Sequence, residues 1–251
     1  MQVVMIGSGN AASVIAKLIL QSGHDIIQVV SRHRAHAVKL ANFLNAAATD
    51  SILEISQDAD IYVIAVSDDA ISVVADQLHL NNKLVVHMAG AVSKEVLKNV
   101  SASYGVLWPL QSLRKEIDHI PNIPFIVDGN DQATTSRIAL FASSLSKTVK
   151  VANDTERQKL HLASVVAANF ANHFYALAQE FCLQEAIDFK LIIPLMIETA
   201  ERIKTHAAAE MQTGPAARKD RQTMERHLLL LDNYPEIKNL YQLVSNSIMA
   251  K

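Results

Sequence analysis

Val3-Val4-Met5-Ile6-Gly7-Ser8-Gly9-Asn10-Ala11-Ala12 is the stretch on which the reading of this chain turns. A short apolar run reaches a Gly-x-Gly turn and passes into a helix of small and apolar residues, Ala11 to Leu20. Strand, glycine turn and helix in that order are what a dinucleotide pyrophosphate requires. Gly7 permits the tight turn, Gly9 lets the backbone approach the phosphates, and Ala12 stands where a third glycine often lies, small enough for helix to pack on strand. The free N–H groups at the start of the helix face the anion. Ser8, Asn10 and Ala11 complete the candidate cradle.

Bulk properties narrow the surroundings of this motif. The chain has 251 residues, half of them hydrophobic and 19% charged, which is ample core for one or two domains and argues against disorder. A net charge of −2 with no long basic run gives nucleic-acid and anionic-membrane binding no support. A single cysteine, Cys182, excludes an intramolecular disulfide and fits a reducing, cytoplasmic setting. The first residues lack a basic region and the apolar run breaks at Gly7 to Asn10, unlike a signal peptide. No apolar run reaches membrane-spanning length. With neither a cysteine cluster nor His-Glu-x-x-His, no metal site is expected.

The chain changes character near Ala152 to Asp154. Before it, short apolar runs alternate with helical segments. Strands are expected at Met1–Ile6, Asp25–Val30, Ile61–Val66, Leu84–Met88, Gly105–Trp108, Phe125–Val127 and Thr148–Val151. Helices are expected near Arg34–Asn45, Ala70–Leu78, Ser93–Asn99 and Gln132–Leu145. This alternation predicts a mostly parallel, doubly wound α/β sheet covered on both faces. After it no strand is expected. Asp154–Ala186 is long and helical in period, and further helices follow to about Ala209, over Lys219–Leu231 and over Glu236–Met249. The expected organisation is residues 1–152 as a dinucleotide-binding domain and 153–251 as an all-helical substrate and dimerisation domain.

The end of the second strand reads Val30-Ser31-Arg32-His33-Arg34. An acid there would bond the ribose 2′-OH of NAD. None is present, and Ser31 with the guanidinium of Arg32 suits a 2′-phosphate, so NADP is favoured over NAD. The bland alternative is a solvated basic turn.

In doubly wound sheets the ligand lies beyond the C-terminal strand ends. Val66, Ser67 and Asp68 end one such strand, as a wall for the nicotinamide ribose, as a helix cap, or as both. His87-Met88-Ala89-Gly90 ends another. His87 reads either as a satisfied structural histidine or as a proton donor, and Gly90 as a point of close approach to cofactor or substrate. Trp108-Pro109-Leu110-Gln111-Ser112 ends a third. In the helical half, Lys159, His161, Asn169, Asn172 and His173 interrupt an apolar pattern. At about 100° per residue His161, Ala168 and Asn172 share a stripe. These polar groups need partners, either in neighbouring helices or in a bound molecule. Met211 to Asp220 breaks one helix at Thr213-Gly214-Pro215 and sets Asp220 near the start of the next. Arg218 is available there to that carboxylate or to an anionic substrate.

Together these motifs resemble a group of bacterial Rossmann-like oxidoreductases whose helical C-terminal domain is of unknown function. That group is related to pyrroline-5-carboxylate reductase, 6-phosphogluconate dehydrogenase and ketopantoate reductase. The resemblance spans nearly the whole chain. It is carried by Ile6–Ala12, Ala65–Ile71, His87–Ala91, Trp108–Ser112, His161–Ala163, Asn169-Phe170 and, most specifically, Thr213–Asp220. It departs from the group at Trp108, where His is common before Pro, and at Ala89, where Ser is common. The resemblance implies a C-terminal domain like that of 6-phosphogluconate dehydrogenase, a homodimer formed through it, and a cleft between the two domains. It also implies hydride transfer between NADP and a small keto acid, hydroxy acid or imine. Related dehydrogenases use a Lys and an Asn on this helix, which points to Lys159 and Asn169, although at a different spacing. Lys159, His161 or His87 would serve as proton donor, Asn169 would orient the substrate, and Arg218 would bind it. A protein that binds NADP as a sensor or scaffold without turnover is the alternative, and a deazaflavin is a further cofactor candidate.

Overall fold

Gln2–Ile6 (β1) alternates its side chains between two separate cores, and the rest of the first unit follows from that. Val3 and Met5 face one side of the sheet and Val4 and Ile6 the other, because successive strand residues point to opposite faces. The computed structural model describes residues 1–116 and 119–250. Lys251, the last residue of the expected helical domain, lies outside them. The described chain forms two units, Met1–Ala168 and a second that begins at Asn169.

The first unit is an eight-stranded sheet in the order β3-β2-β1-β4-β5-β6-β7-β8. Its remaining strands are Asp25–Val30 (β2), Ala47–Thr49 (β3), Ile61–Ile64 (β4), Asn81–His87 (β5), Ser101–Pro109 (β6), Phe125–Gly129 (β7) and Val149–Val151 (β8). All neighbours pair in parallel except β6 and β7, which are antiparallel. The α/β expectation therefore holds, with two reversed strands, β7 and β8, and one unforeseen strand, β3. β3 escaped notice because Ala47-Ala48-Thr49 carries too little apolar bulk to register as a strand.

Helices Asn10–Gln21 (α1), Arg34–Leu44 (α2) and Gln132–Leu145 (α4) bury Ile15, Ile19, Leu40, Ile138 and Phe141 in the first core. Asp68–Ala75 (α3) places Ile71 and Ala75 in the second. The expected helix at Ser93–Asn99 is only a 3₁₀ turn, Lys94–Leu97, with Ser93 accepting a capping bond from Glu95 N–H. Asn153 opens Asp154–Ser164 (α5) with a capping box, its side chain accepting from Glu156 N–H while Glu156 accepts from Asn153 N–H. The chain passes through a π-helical turn, Val165–Phe170, into Ala171–Gln184 (α6). The unit boundary falls inside that turn, so α5 goes with the sheet.

The second unit contains α6, Ile193–Arg202 (α7), Arg221–Leu230 (α8) and Pro235–Met249 (α9), and no strand among its described residues. Asp220 is the N-cap of α8, accepting from the N–H and hydroxyl of Thr223. Those two bonds, with the charges of Arg218 and Arg226, hold its carboxyl below the usual range.

Candidate functional site

β1 and β4 lie side by side, yet the chain leaves β1 toward β2 and β3 on one side and returns to β4 on the other. Connections diverge at this point, which opens a crevice beyond the strand ends. A cleft of about 580 Å³ lies there, lined by Gly7, Ser8, Gly9, Asn10, Ala11, Ser31, Arg32, Val66 and Ser67. Nine of the ten residues singled out for the cofactor thus meet in one cavity. Asp68 does not. It is an exposed residue at the start of α3 and is absent from the lining. His36, Asp50 and Gln77 line the same cleft and carried no motif that would have disclosed them.

The two glycines of the turn do different work. Gly7 has φ +126°, and a Cβ on it would lie 2.1 Å from the Ala65 carbonyl oxygen. Only glycine accepts that backbone and that contact. Gly9 is in extended conformation, and a Cβ there would meet nothing within 4 Å. The space above it is open ground at the mouth of α1. No side chain caps that helix and no acid lies in its first turn, and its first internal bond runs from Ser13 N–H to Gly9 O. The N–H groups before it are free for an anion. The cradle therefore fits a pyrophosphate.

At the β2 end, Ser8 and Ser31 hydroxyls are hydrogen-bonded at 2.7 Å, tying the glycine turn to the rim. Arg34 is paired with Asp50 at 3.3 Å. Arg32 has no ion pair among the described residues. The two arginines, equivalent in sequence, are separated by the fold into one engaged and one available. Ser67 stands at the N-cap of α3 without a side-chain capping bond, which leaves its hydroxyl to the cleft.

The wall beyond β5 and β6 is built around Gly90. His87 pairs in register with Val106, and Trp108 follows two residues on. A Cβ on Gly90 would lie 2.7 Å from Trp108 Cε2 and 2.9 Å from His161 Nδ1. Trp108 and His161 meet edge to face, 5.6 Å between centroids. His87 is fully buried and takes the Ala89 N–H on Nδ1 at 3.2 Å. Burial, then the charge of Arg157, push its pKa down to about 4, so it is neutral at pH 7. Lys159 is exposed on α5. Asn169 and Arg218, both exposed, belong to the second unit.

Arg157 was not singled out by the sequence, yet its side chain is fully buried. Its Nε donates to Gly90 O at 3.1 Å, its Nη2 donates to Val92 O, and it pairs with Asp154 at 2.9 Å. Burial works against the Asp154 carboxylate, but hydrogen bonds from Ser93 and Arg157 outweigh it and hold its pKa below the ordinary value. The capping signal Asn153-x-x-Glu156 marks the turn that carries Asp154 and Arg157, and was the available clue.

The second unit has its own cavity, about 630 Å³ and mainly apolar, lined by Phe174, Phe181, Leu230, Leu240 and Ile248 among others. His227 and Tyr241 meet on it through a 2.9 Å hydrogen bond. Thr213, Gly214 and Pro215 also line it.

Fold and cleft define a Rossmann-type α/β protein with a helical C-terminal region. Residues 123–248 match the family model described as a domain of unknown function, DUF2520. Residues 2–90 match one described as NADP oxidoreductase, coenzyme F420-dependent. The chain belongs to the DUF2520 family. A Bacteroides fragilis structure described as a "putative NADP oxidoreductase" is 33% identical, with 100% of this chain and 98% of that one covered and a TM-score of 0.93. A 1-pyrroline-5-carboxylate reductase from Streptococcus pyogenes is 15% identical over 100% and 99% of the two chains, TM-score 0.66. An imine reductase from Myxococcus stipitatus, solved with NADP⁺, is 17% identical over 100% and 92%, TM-score 0.64. These last two share the fold. No curated protein matches the sequence.

Proposed function

We propose that the protein is an NADPH-dependent reductase of a small C=N or C=O substrate. The observation that carries this is the cradle: open space over Gly9 at an uncapped helix end, beside a β2 terminus with a free arginine, the nearby Asp50 carboxylate being paired with Arg34. NADPH held there supplies a hydride. Gly7 and Gly9 shape the pyrophosphate seat, and Ser31 and Arg32 take the 2′-phosphate. Lys159 or His161 delivers the proton that a carbonyl substrate needs, whereas an iminium brings its own. Asn169 and Arg218 stay assigned to substrate orientation and anion binding on sequence grounds. His87, neutral and buried, supports the wall and is a poor proton donor. The imine and pyrroline-carboxylate reductases among the solved structures of this fold favour C=N over C=O.

The test is NADPH oxidation at high enzyme concentration across a panel of cyclic imines and 2-keto acids. Turnover of a cyclic imine supports the reading. NADPH binding without turnover on any member returns the protein to a sensor or scaffold. The family description that names coenzyme F420 favours a second cofactor, so reduced F420 belongs in the same assay. Turnover with it and not with NADPH overturns the cofactor assignment.

We also infer a homodimer through the helical unit. Its support is the exposed apolar surface there, including Leu183 (80% exposed), Leu191 (74%) and Leu243 (67%). A monomer by light scattering at micromolar concentration overturns it. The single cysteine fits a cytoplasmic setting, and no helix among the described residues is long and apolar enough to cross a membrane.

A further inference from the structure

Every residue from Gly90 to Lys94 is bonded to Asp154, Arg157 or Gln158 at the start of α5. Gly90 O and Val92 O accept from Arg157, and Ala91 O accepts from Gln158 at 3.4 Å. Ser93 Oγ and Lys94 N–H both donate to Asp154. Gly90, Ala91 and Val92 thus have carbonyls satisfied by α5 side chains, and the cap and first residue of the 3₁₀ turn, Ser93 and Lys94, are held by an α5 carboxylate. A buried cation is also a costly fastener, tolerated when it is paired, as Arg157 is with Asp154. Among the described residues, just three buried side-chain polar atoms lack a protein partner: His87 Nε2, Arg157 Nη1 and His161 Nδ1. All three belong to the wall around Gly90. A fold that satisfies its buried polar groups elsewhere and leaves them unpartnered in one place marks that place for something other than stability.

We propose that Arg157 is the positioning residue of this wall: its planar fork grips the carbonyls of Gly90 and Val92 and so keeps Gly90 flush beneath Trp108 and His161. Asp154 orients the fork and offsets its charge. A lysine retains the charge at this position but cannot span two carbonyls and a carboxylate at once. Arg157 touches no reacting atom. Its effect on turnover rests on the reductase reading above, whereas its effect on the wall does not.

Trp108 is the chain's only tryptophan, so emission excited at the red edge of the absorption band, where the five tyrosines do not absorb, reports on this wall alone. The experiment compares the full chain with Arg157→Lys and Asp154→Asn. It measures Trp108 emission, NADPH affinity, and kcat and KM on whichever substrate the wild type turns over. The expected result is a shifted Trp108 emission in both variants. In Arg157→Lys, kcat falls by roughly 10- to 100-fold while NADPH affinity stays within about threefold, as displacement of a wall by a fraction of an ångström would give. Unchanged emission with kcat within about twofold of wild type overturns the proposal. So does a loss of NADPH affinity in step with kcat, which makes Arg157 a general support of the sheet. If Arg157→Lys does not fold, Asp154→Asn, at a partly exposed position, decides by the same criteria. If the wild type turns over nothing, the reductase reading fails. Trp108 emission then still decides the positioning role, upheld by a shift and overturned by none.

Discussion

His161 stands edge-on to Trp108 at an interplanar angle of 73°, and the two rings close over Gly90, which has no Cβ to part them. The residues come from α5 and β6, and from the loop after β5, far apart in sequence. Their contact is what turns three strand-end and helix motifs into one surface.

Gly90→Ala tests that surface. Its methyl group would meet Trp108 at 2.7 Å and His161 at 2.9 Å, closer than carbon atoms approach without displacement. We expect altered Trp108 emission and a loss in kcat of about a hundredfold, the scale that an ångström of misplacement produces, with NADPH affinity little changed. Wild-type turnover in this variant would show that the wall takes no part in the reaction.

The glycine turn makes a paired prediction. Gly7→Ala forces a Cβ onto the Ala65 carbonyl at a backbone angle that alanine resists, so the variant should lose stability. Gly9→Val sets its side chain in open space, so it should melt near wild type and yet fail to bind NADPH. Thermal melts with and without nucleotide separate the two. Equal melting temperatures for both variants would remove the distinction.

Arg32→Ala should weaken NADPH by roughly 10- to 100-fold, the value of one or two charge-assisted hydrogen bonds, and leave NADH nearly unchanged. Arg34→Ala is the control, since Arg34 is engaged by Asp50. Titration calorimetry with both nucleotides is the measurement. Equal effects on NADPH and NADH would refute the 2′-phosphate assignment.

His87 gives stability a pH dependence of defined sign. Its pKa is about 4 in the fold against 6.5 for the free side chain. Between those values the unfolded chain binds the proton and the folded chain does not, so stability is full above pH 6.5 and falls toward pH 4. The shift corresponds to roughly 3 kcal/mol. Asp154, whose pKa is depressed, adds loss only at more acid pH, below its free value of 3.8. Urea unfolding of wild type and His87→Gln at pH 7 and 5 checks this. The variant should lose less between those two values, and parallel losses would contradict the assignment.

The sheet and the cleft at its β1 end were largely legible because their causes are local. A buried parallel strand must be apolar along its length, as Ile61–Ile64 is, and a tight turn such as that at Gly7 must be glycine where φ is positive. The reversal of β7 against β6 was not legible. Both strands are buried runs, and an apolar run carries no record of its direction. The π-helical turn Val165–Phe170 was equally hidden, because its residues fit an α-helix as well.

The sequence by itself determined the α/β class, the all-helical second half and the identity of the residues around Gly7 and Gly9. Each rests on periodicity or on a conformational need of single residues. Only the tertiary structure decided which of two neighbouring arginines is free, and that His87 is sealed and neutral. It alone disclosed Arg157 as the buried fastener of the Gly90 loop. Burial and pairing depend on what lies across the fold, and a guanidinium reads alike in sequence whether it meets water or two carbonyls and a carboxylate.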